Sequence, residues 1–370
     1  MSLTQRFKTF AYEQGIAAIG IAPAVSLERG IRTLISRERR GFFTPFVRGT
    51  PVERCTPLSL FPGARSLIVI ALSYSAKTPS WPPPGFDEGI ICRSARGLDY
   101  HYILTEKLKC LADFLRREGG CRETYIQVDN GPLLEREAAY QAGVGYYGEN
   151  CSIIIPTYGS WVVLGILLVD VALEYDHPLE QGCRGCRRCL EACPTGALVE
   201  PYVLNPALCL SYLTQMRGFI PQEARPHFAN RLFGCDVCQE VCPENNEIKQ
   251  AGENFGARRE AAFPKLGEIL KLDNRSFRRL FGNTAAGWRG KGILQRNAAL
   301  AMGNSGDRSW VPLLAGALKS PSAVLRGHTA WALGRLGGKA ARNFLERALI
   351  WEVDSKVKGE IKRALDRALA

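Results

Sequence analysis

Apolar residues recur with two different spacings along the first 178 residues of the chain. Thr4–Gln14 and Leu104–Glu118 carry them at helical spacing, and the pair Gly119-Gly120 ends the second segment. Four shorter runs predict strands, namely Ala17–Ala22, Ser66–Tyr74, Glu123–Val128 and Trp161–Val171. The segment Pro79–Gly85 predicts a loop. Because helices and strands are interleaved without a regular strand–helix–strand repeat, we predict an α+β layered fold for this part.

The last part of the chain predicts stacked pairs of helices. Arg296–Gly303 (RNAALAMG) matches Gly327–Gly334 (GHTAWALG) at an offset of 31 residues. Further helical patterns follow at Trp310–Leu318, Ala340–Leu349 and, as a shortened third unit, Val357–Leu369. Paired helices with repeated small residues and leucines are typical of HEAT-like repeats, in which neighbouring units share one apolar core.

Composition places the chain among globular proteins of more than one domain. It has 370 residues, of which 46% are hydrophobic and 23% charged. No apolar run approaches the roughly 18 residues that a membrane-spanning helix needs. Met1–Ile16 does not resemble an export signal. We therefore expect a cytoplasmic protein with no membrane partner, and a monomer.

The formal net charge of +12 favours a polyanionic partner, although charge alone is weak evidence. Basic residues crowd the repeat region, and solvated helix faces are the ordinary explanation for such a run. Arg289, Lys291 and Arg296 cluster where the first repeat begins. We regard these three as candidates for binding RNA phosphates.

A doubled cysteine run is the strongest chemical signal. Cys183, Cys186, Cys189 and Cys193 have the spacing C-x-x-C-x-x-C-x-x-x-C and precede Pro194. A second run, C-x-x-C-x-x-x-C, follows about fifty residues later at Cys235, Cys238 and Cys242. This is the spacing of bacterial-type ferredoxins with two [4Fe–4S] clusters, in which the last cysteine of a run ligates the other cluster.

From this crossover we assign Cys183, Cys186, Cys189 and Cys242 to one cluster. The eighth ligand must come from outside the runs, and Cys209 is the nearest candidate. The second cluster is then assigned to Cys193, Cys209, Cys235 and Cys238. Zinc is a weaker alternative, because a zinc site needs only four ligands and the two runs supply seven cysteines. A disulfide framework is also weaker, because the chain has an odd number of cysteines, 13.

Several segments resemble the epoxyqueuosine reductases, which are cobalamin-dependent iron–sulfur enzymes that complete queuosine in transfer RNA. The resemblance runs in order from about Gln14 to the end of the chain. Its segments are Phe61–Ser66 (FPGARS), Ala95–His101 (ARGLDYH), Asp129–Arg136 (DNGPLLER), Gly143–Trp161 (GVGYYGENCSIIIPTYGSW), Ser211–Thr214 (SYLT), Asn230–Cys238 (NRLFGCDVC) and Lys291–Asn304 (KGILQRNAALAMGN). Tyr147 and Glu149 depart from the family's common aromatic and lysine at these positions.

The resemblance implies base-off cobalamin beside the two [4Fe–4S] clusters, with Asp129 as the general acid. Burial beside an apolar corrin would raise the pKa of that carboxyl group. By matching position, cobalamin would also be bound by Arg54, Cys92, Asn150, Ser152 and Ile153. Cys92 would lie on the reactive face of the cobalt, although packing is the commoner role of a buried cysteine. Tyr100 and His101 also match the family's segment. They would either face the substrate or simply belong to a structured loop.

We therefore predict three domains: a catalytic cobalamin domain at 1–178, a two-cluster ferredoxin-like domain at 179–250, and a linker with HEAT-like repeats at 251–370. The predicted function is that of an oxidoreductase that reduces epoxyqueuosine to queuosine in transfer RNA. The repeats would bind the anticodon stem-loop, and an unidentified donor would supply electrons. Two alternatives are a corrinoid reductive dehalogenase and a ferredoxin-type electron carrier.

Overall fold

The structure, a computed structural model, describes residues 1–75, 81–246, 248 and 255–367. It divides into two compact units, each made of separated stretches of the chain. Unit 1 comprises Met1–Pro79, Leu98–Ala207 and Val237–Gly256, whereas unit 2 comprises Ser80–Gly97, Leu208–Asp236 and Ala257–Ala370. The three predicted domains were delimited by sequence motifs, and their boundaries differ from those of the two units. The three-domain division stays a prediction.

The regular elements follow one another along both units. In chain order the helices are α1 (Leu3–Glu13), α2 (Glu28–Arg39), α3 (Tyr100–Gly119), α4 (Glu135–Gln141), α5 (Arg188–Glu191), α6 (Leu210–Leu213), α7 (Val237–Glu240), α8 (Arg259–Ala262), α9 (Leu266–Leu270), α10 (Asn274–Phe281), α11 (Lys291–Ser305), α12 (Val311–Ala317), α13 (Ala323–Leu336), α14 (Gly338–Trp351) and α15 (Ser355–Arg367). The strands are β1 (Ala18–Pro23), β2 (Ser66–Ser73), β3 (Ile90–Ile91), β4 (Thr124–Gln127), β5 (Tyr146–Tyr147), β6 (Ile153–Ile154), β7 (Val162–Val169), β8 (Leu198–Glu200), β9 (Val203–Leu204) and β10 (Arg231–Phe233).

Unit 1 is built on a four-stranded antiparallel sheet with the strand order β1-β2-β7-β4. Every residue of β2 is buried, because helices cover both faces of the sheet. Ile68 and Ile70 pack on one face with α1 and α3, whereas Leu67 and Val69 pack on the other with α2 and α4. This alternation follows from the two-residue period of a strand. The predicted α+β layered fold is confirmed.

The predicted strands and helices of unit 1 lie within a few residues of their observed positions. α3 begins one turn earlier than predicted, at Tyr100, because the Asp99 side chain caps it by accepting a hydrogen bond from the His101 amide (3.1 Å). The sequence analysis missed α2, in which only Gly30 and Leu34 are buried, so that its apolar face is short. The predicted loop Pro79–Gly85 falls partly outside the described residues.

Unit 2 contains the repeated helices, and the predicted 31-residue offset places equivalent residues at equivalent helix contacts. α11 packs against α13, and α13 packs in turn against α15. A Cβ atom added at Gly303 would lie 2.8 Å from the Cα of Ala332, and one at Gly334 would lie 2.7 Å from the Cα of Ala364. Both glycines therefore allow a close approach to the next repeat.

Two buried polar contacts hold the segment 208–236 to the repeats inside unit 2. Arg225 donates two hydrogen bonds of 2.8 Å to the carboxylate of Glu360 in α15, and both side chains are buried. His328 in α13 accepts a hydrogen bond from the amide of Ile220 (3.1 Å). Among the described residues, none of the helices is both long and apolar enough to cross a membrane.

Candidate active site and cluster ligands

Four of the predicted cluster ligands surround one pocket in unit 1. Cys183, Cys186, Cys189 and Cys242 line it. Cys242 comes from the second cysteine run, whereas the other three come from the first. The fold therefore brings together the four thiols that the crossover spacing assigned to one cluster.

A single zinc ion and a [4Fe–4S] cluster place different demands on four thiolates. Zinc–sulfur bonds of about 2.3 Å in a tetrahedral site hold the sulfurs about 3.8 Å apart. In the part of the chain that the structure describes, no three His, Cys, Asp or Glu side chains converge enough to hold one metal ion. A cubane cluster instead binds each thiolate to a different iron atom, so its four ligands lie further apart than those of one zinc ion.

The turn between β5 and β6 forms one wall of this pocket. Asn150 is buried there, and its Nδ2 donates a hydrogen bond to the carbonyl of Cys238 (3.2 Å). Its Oδ1 accepts a hydrogen bond from the amide of Ser152 (3.0 Å). Glu149, which departs from the family pattern, accepts a hydrogen bond from the amide of Arg187 (3.2 Å). Asn150 and Glu149 thus join the turn to the cysteine runs.

The four ligands predicted for the second cluster are divided between the units. Cys193 and Cys238 belong to unit 1, and Cys209 and Cys235 belong to unit 2. Cys209 is the residue before α6. The assignment of these four to one cluster stays a prediction.

Asp129 lies on a short loop whose shape is set by its neighbours. It follows β4 and has a left-handed backbone conformation with φ of +53°. The side chain of Gln127 exchanges two hydrogen bonds with the backbone of Leu133 (2.9 and 3.0 Å), which close the loop. The amide of Asp129 donates a hydrogen bond to Glu135 Oε1 (2.6 Å). The loop therefore presents the Asp129 side chain outward, with 60% of it exposed.

The carboxylate of Asp129 is held by two residues from the start of α3. The hydroxyl of Tyr100 donates a hydrogen bond to its Oδ2 (3.0 Å), and Nε2 of His101 lies 3.5 Å from the same oxygen. The interaction with His101 lowers the pKa of Asp129, and burial acts in the opposite direction without overcoming it. In this structure the pKa of Asp129 is therefore lowered, because both neighbours stabilise the carboxylate, and its rise beside a bound corrin stays a prediction.

Glu135 is a further member of this site that was not predicted from the sequence. Burial raises the pKa of Glu135 to about 8, and the nearby charge of Asp129 acts in the same direction. Glu135 therefore keeps a proton at neutral pH and can stand beside Asp129 without a second negative charge. The resemblance covered Glu135 within DNGPLLER, but the sequence contains no signal for its burial.

The predicted cofactor ligand Arg54 lies in a group of three arginines. It is half-buried in a 3-10 helix, Glu53–Cys55. Burial and the positive charges of Arg136 and Arg54 lower the pKa of Arg37, so the three guanidinium groups influence one another. Among the described residues, none of the three forms a salt bridge with a carboxylate. Nε of Arg37 is buried without a hydrogen-bond partner. Such a group is suited to an anionic or amide-rich ligand.

Two other predicted cofactor contacts have buried side chains. Ile153 is 3% exposed and packs in the core beneath the sheet. Cys92 belongs to unit 2, and its Sγ lies 3.6 Å from the hydroxyl oxygen of Ser94. Burial raises the pKa of Cys92 to about 12, so this residue is a neutral thiol. Its role toward cobalt stays a prediction.

The three predicted RNA-binding residues differ in accessibility. Arg289 stacks on the exposed ring of Trp288, with its Cζ 3.7 Å from the ring centroid, and Lys291 begins α11. Arg296, in contrast, is fully buried and donates hydrogen bonds to backbone carbonyls near the end of α6. The prediction that Arg296 contacts RNA is wrong, because its guanidinium is already occupied inside the protein.

Three stretches of the chain match known protein families. Residues 54–130 match the family described as "Epoxyqueuosine reductase QueG, DUF1730". Residues 182–245 match a "4Fe-4S double cluster binding domain", and residues 291–366 match "HEAT repeats". The predictions of iron–sulfur clusters and of HEAT-like repeats are confirmed.

Near-complete relatives are also known. An epoxyqueuosine reductase of Bacillus subtilis is 39% identical over 98% of this chain and 95% of its own length. One of Escherichia coli is 32% identical over 99% of this chain and 97% of its own. A crystal structure of epoxyqueuosine reductase with a tRNA-Tyr epoxyqueuosine-modified tRNA stem loop superposes with a TM-score of 0.95. It is 39% identical and covers 100% of this chain and 99% of that one.

Proposed function

The chain belongs to the epoxyqueuosine reductase family, and we propose on that premise that its unit 1 reduces epoxyqueuosine to queuosine in transfer RNA, with Asp129 as the proton donor. One observation carries this proposal. A pocket lined by four cysteines and an exposed carboxylate held by Tyr100 and His101 occur in the same compact unit. Electron transfer and proton transfer are the two capacities that removing an epoxide oxygen requires.

We propose base-off cobalamin as the cofactor between the clusters and the epoxide. The guanidiniums of Arg37, Arg54 and Arg136 form no salt bridge among the described residues and fit the phosphate and amide groups of cobalamin. The buried Nε of Arg37, which has no hydrogen-bond partner, is consistent with a ligand there. When bound, the cofactor supplies a cobalt centre that passes electrons to the substrate. Asn150 and Ser152 would support this site mainly through the turn that they form.

The protein's own residues supply the proton chemistry. Asp129 must be protonated when it meets the epoxide oxygen, so its lowered pKa requires a neighbour that returns a proton to it. The Tyr100 hydroxyl fixes one carboxylate oxygen through its hydrogen bond of 3.0 Å. The loop backbone at φ of +53° directs the carboxyl group away from the core.

For the RNA we propose a basic patch on unit 2, consisting of Arg217, Trp288, Arg289 and Lys291. Arg217 is exposed. It lies close enough to Arg289 that its charge, together with burial, lowers the pKa of Arg289. Trp288 is held by a hydrogen bond from its Nε1 to Gln215 (2.9 Å), which leaves half of the ring exposed. Exposed aromatic rings beside arginines are suited to stacking on unpaired bases, and the cations to binding phosphates.

The reductive dehalogenase and the electron carrier are not favoured, because the near-full-length relatives are epoxyqueuosine reductases. We expect a cytoplasmic monomer that is reduced by a separate electron donor.

The role of Asp129 is tested by Asp129→Asn. This substitution preserves size and the hydrogen bond from Tyr100, but removes the acid. We expect both clusters and cobalamin to be retained in the absorption spectrum, and conversion of epoxyqueuosine transfer RNA to fall by about 10²- to 10⁴-fold. Wild-type protein without added cobalamin should also be inactive. Full activity of Asp129→Asn would contradict the assignment of Asp129 as the proton donor. Full activity of cobalamin-free protein would contradict the assignment of cobalamin as the cofactor.

A further inference from the structure

His101 lies between two carboxylates, and each of its ring nitrogens faces one of them. Nδ1 lies 2.6 Å from Oδ1 of Asp99, the residue that caps α3. Nε2 lies 3.5 Å from Oδ2 of Asp129, and it is buried without a hydrogen-bond partner. The distance of 3.5 Å is longer than a hydrogen bond, but a small rotation of the exposed Asp129 side chain would close it. The three side chains therefore form a short line that ends at the proposed proton donor.

The stoichiometry of the reaction requires more than one proton. Converting an epoxide to an alkene and water consumes two electrons and two protons. The electron donor of the reductase supplies the electrons. A single carboxyl group carries one proton, so a second must reach Asp129 before the oxygen can leave as water.

We propose that His101 is a positioning residue that acts through Asp129, by passing a proton to its carboxylate before each of the two proton transfers to the substrate. In this step the N–H bond at Nε2 breaks and an O–H bond forms at Oδ2 of Asp129. His101 is left neutral, with its Nδ1 proton still shared with Asp99, and regains the Nε2 proton from solvent. Both protons of the departing water then pass through one carboxyl group. This inference rests on the proposed function of Asp129.

The surrounding charges keep His101 protonated at neutral pH. Burial opposes the positive charge, but interactions with Asp129 and Asp99 outweigh it and raise the pKa of His101 to about 9. The other groups facing this cluster are Tyr100, Glu135 and Arg136. Burial raises the pKa of Tyr100, so this phenol keeps its proton throughout the physiological range. Glu135 keeps its own proton until about pH 8.

A purely structural role for His101 would rest on different atoms. The helix cap uses the backbone amide of His101, which any residue at this position retains. The ring itself stacks on Tyr100, with centroids 4.3 Å apart, and a planar amide can replace part of that contact. His101→Gln should therefore leave α3 and its cap in place while removing the transferable proton.

The first test measures the proton directly and does not depend on catalysis. The chain has only four histidines, so NMR titration of ¹³C-labelled imidazoles in cluster-loaded protein can follow each one, with His101→Gln assigning its signal. We expect this imidazole to titrate near pH 9, and at least one pH unit lower in Asp129→Asn or Asp99→Asn. Titration of His101 near the ordinary value of about 6.5 would overturn the proposal.

The second test measures turnover. We expect His101→Gln to lower kcat by about 10²-fold without changing the Kd for transfer RNA. We also expect wild-type activity to fall above pH 9, where His101 loses its proton, and this fall to be absent in His101→Gln. Added imidazole should partly restore His101→Ala. His177→Gln, at an exposed histidine of the same unit, is the matched control. If His101→Gln behaves like this control, or imidazole gives no rescue, the relay is wrong. An inactive wild type would contradict the proposed function instead, and the titration would still test His101.

Discussion

At the scale of single residues, position decides what a charged side chain does. Arg296 and Arg289 belong to the same basic cluster in sequence, yet Arg296 is fully buried, whereas Arg289 is partly exposed and stacks on Trp288. The guanidinium of Arg296 donates to the carbonyls of Leu213, Thr214, Met216 and Gly218, the first two at the end of α6. A cation at this position satisfies carbonyls that a helix end leaves without partners.

Replacing Arg296 should therefore affect stability rather than RNA binding. We expect Arg296→Met to lower the free energy of unfolding by about 3 kcal/mol, because it leaves several buried carbonyls without donors. Urea denaturation followed by circular dichroism measures this change. Lys291→Met, at a partly exposed cation of the same segment, should cost less than about 0.5 kcal/mol. A stable Arg296→Met protein with weakened RNA binding would return Arg296 to the RNA surface.

The sequence predicted the chemistry of the site more completely than its electrostatics. Asp129 and its segment were recognisable, and so was the set of four cysteines that includes Cys242. Burial was not recognisable: nothing in the sequence distinguishes Arg296 from Arg289, or shows that Glu135 is enclosed. The burial of Arg296 depends on contacts between segments far apart in sequence, namely α11 with residues 213–218, whereas Glu135 is placed by hydrogen bonds from Gln127 and Asp129.

At the scale of elements, the repeats depend on glycines at helix contacts. Gly303 and Gly334 stand at the same position of successive units, and each faces an alanine of the following helix. A side chain at either position would separate α11 from α13, or α13 from α15. The periodic pattern predicted these helices because their buried faces are long. It missed α2 and the two-residue strand β3, whose apolar signal is too short.

Enlarging Gly303 should destabilise the repeats. We expect Gly303→Val to lower the free energy of unfolding by about 1 to 3 kcal/mol through overpacking, since its Cβ would lie 2.8 Å from the Cα of Ala332. Gly316→Ala is the control, because this exposed glycine of α12 has no atom within 4 Å of an added Cβ. The control should be neutral or slightly stabilising. Equal unfolding midpoints for the two variants would contradict the close helix contact.

At the scale of the whole molecule, the chain carries the parts of one reaction in separate stretches. Unit 1 has the four-cysteine pocket and the Asp129 loop, whereas unit 2 has the repeats and the basic patch. If the proposed function holds, the net charge of +12 attracts the RNA backbone. This predicts that affinity for RNA depends strongly on salt.

Removal of the basic patch should lower that dependence. For the triple variant Arg217→Ala, Arg289→Ala, Lys291→Ala, we expect weaker binding of an anticodon stem-loop and a slope of log K against log salt reduced by about 2. Fluorescence anisotropy at several salt concentrations measures both. The control is Lys319→Ala, Lys339→Ala, Lys362→Ala, at exposed lysines elsewhere on the repeats. A larger effect in the control would place the RNA surface there.

The central claim is tested most directly by nucleoside mass spectrometry of transfer RNA that carries epoxyqueuosine. Wild-type protein loaded with clusters and cobalamin, and supplied with reductant, should remove one oxygen atom and yield queuosine, whereas equally loaded Asp129→Asn should leave the epoxide intact. Unchanged epoxyqueuosine after incubation with fully loaded wild-type protein would contradict the account.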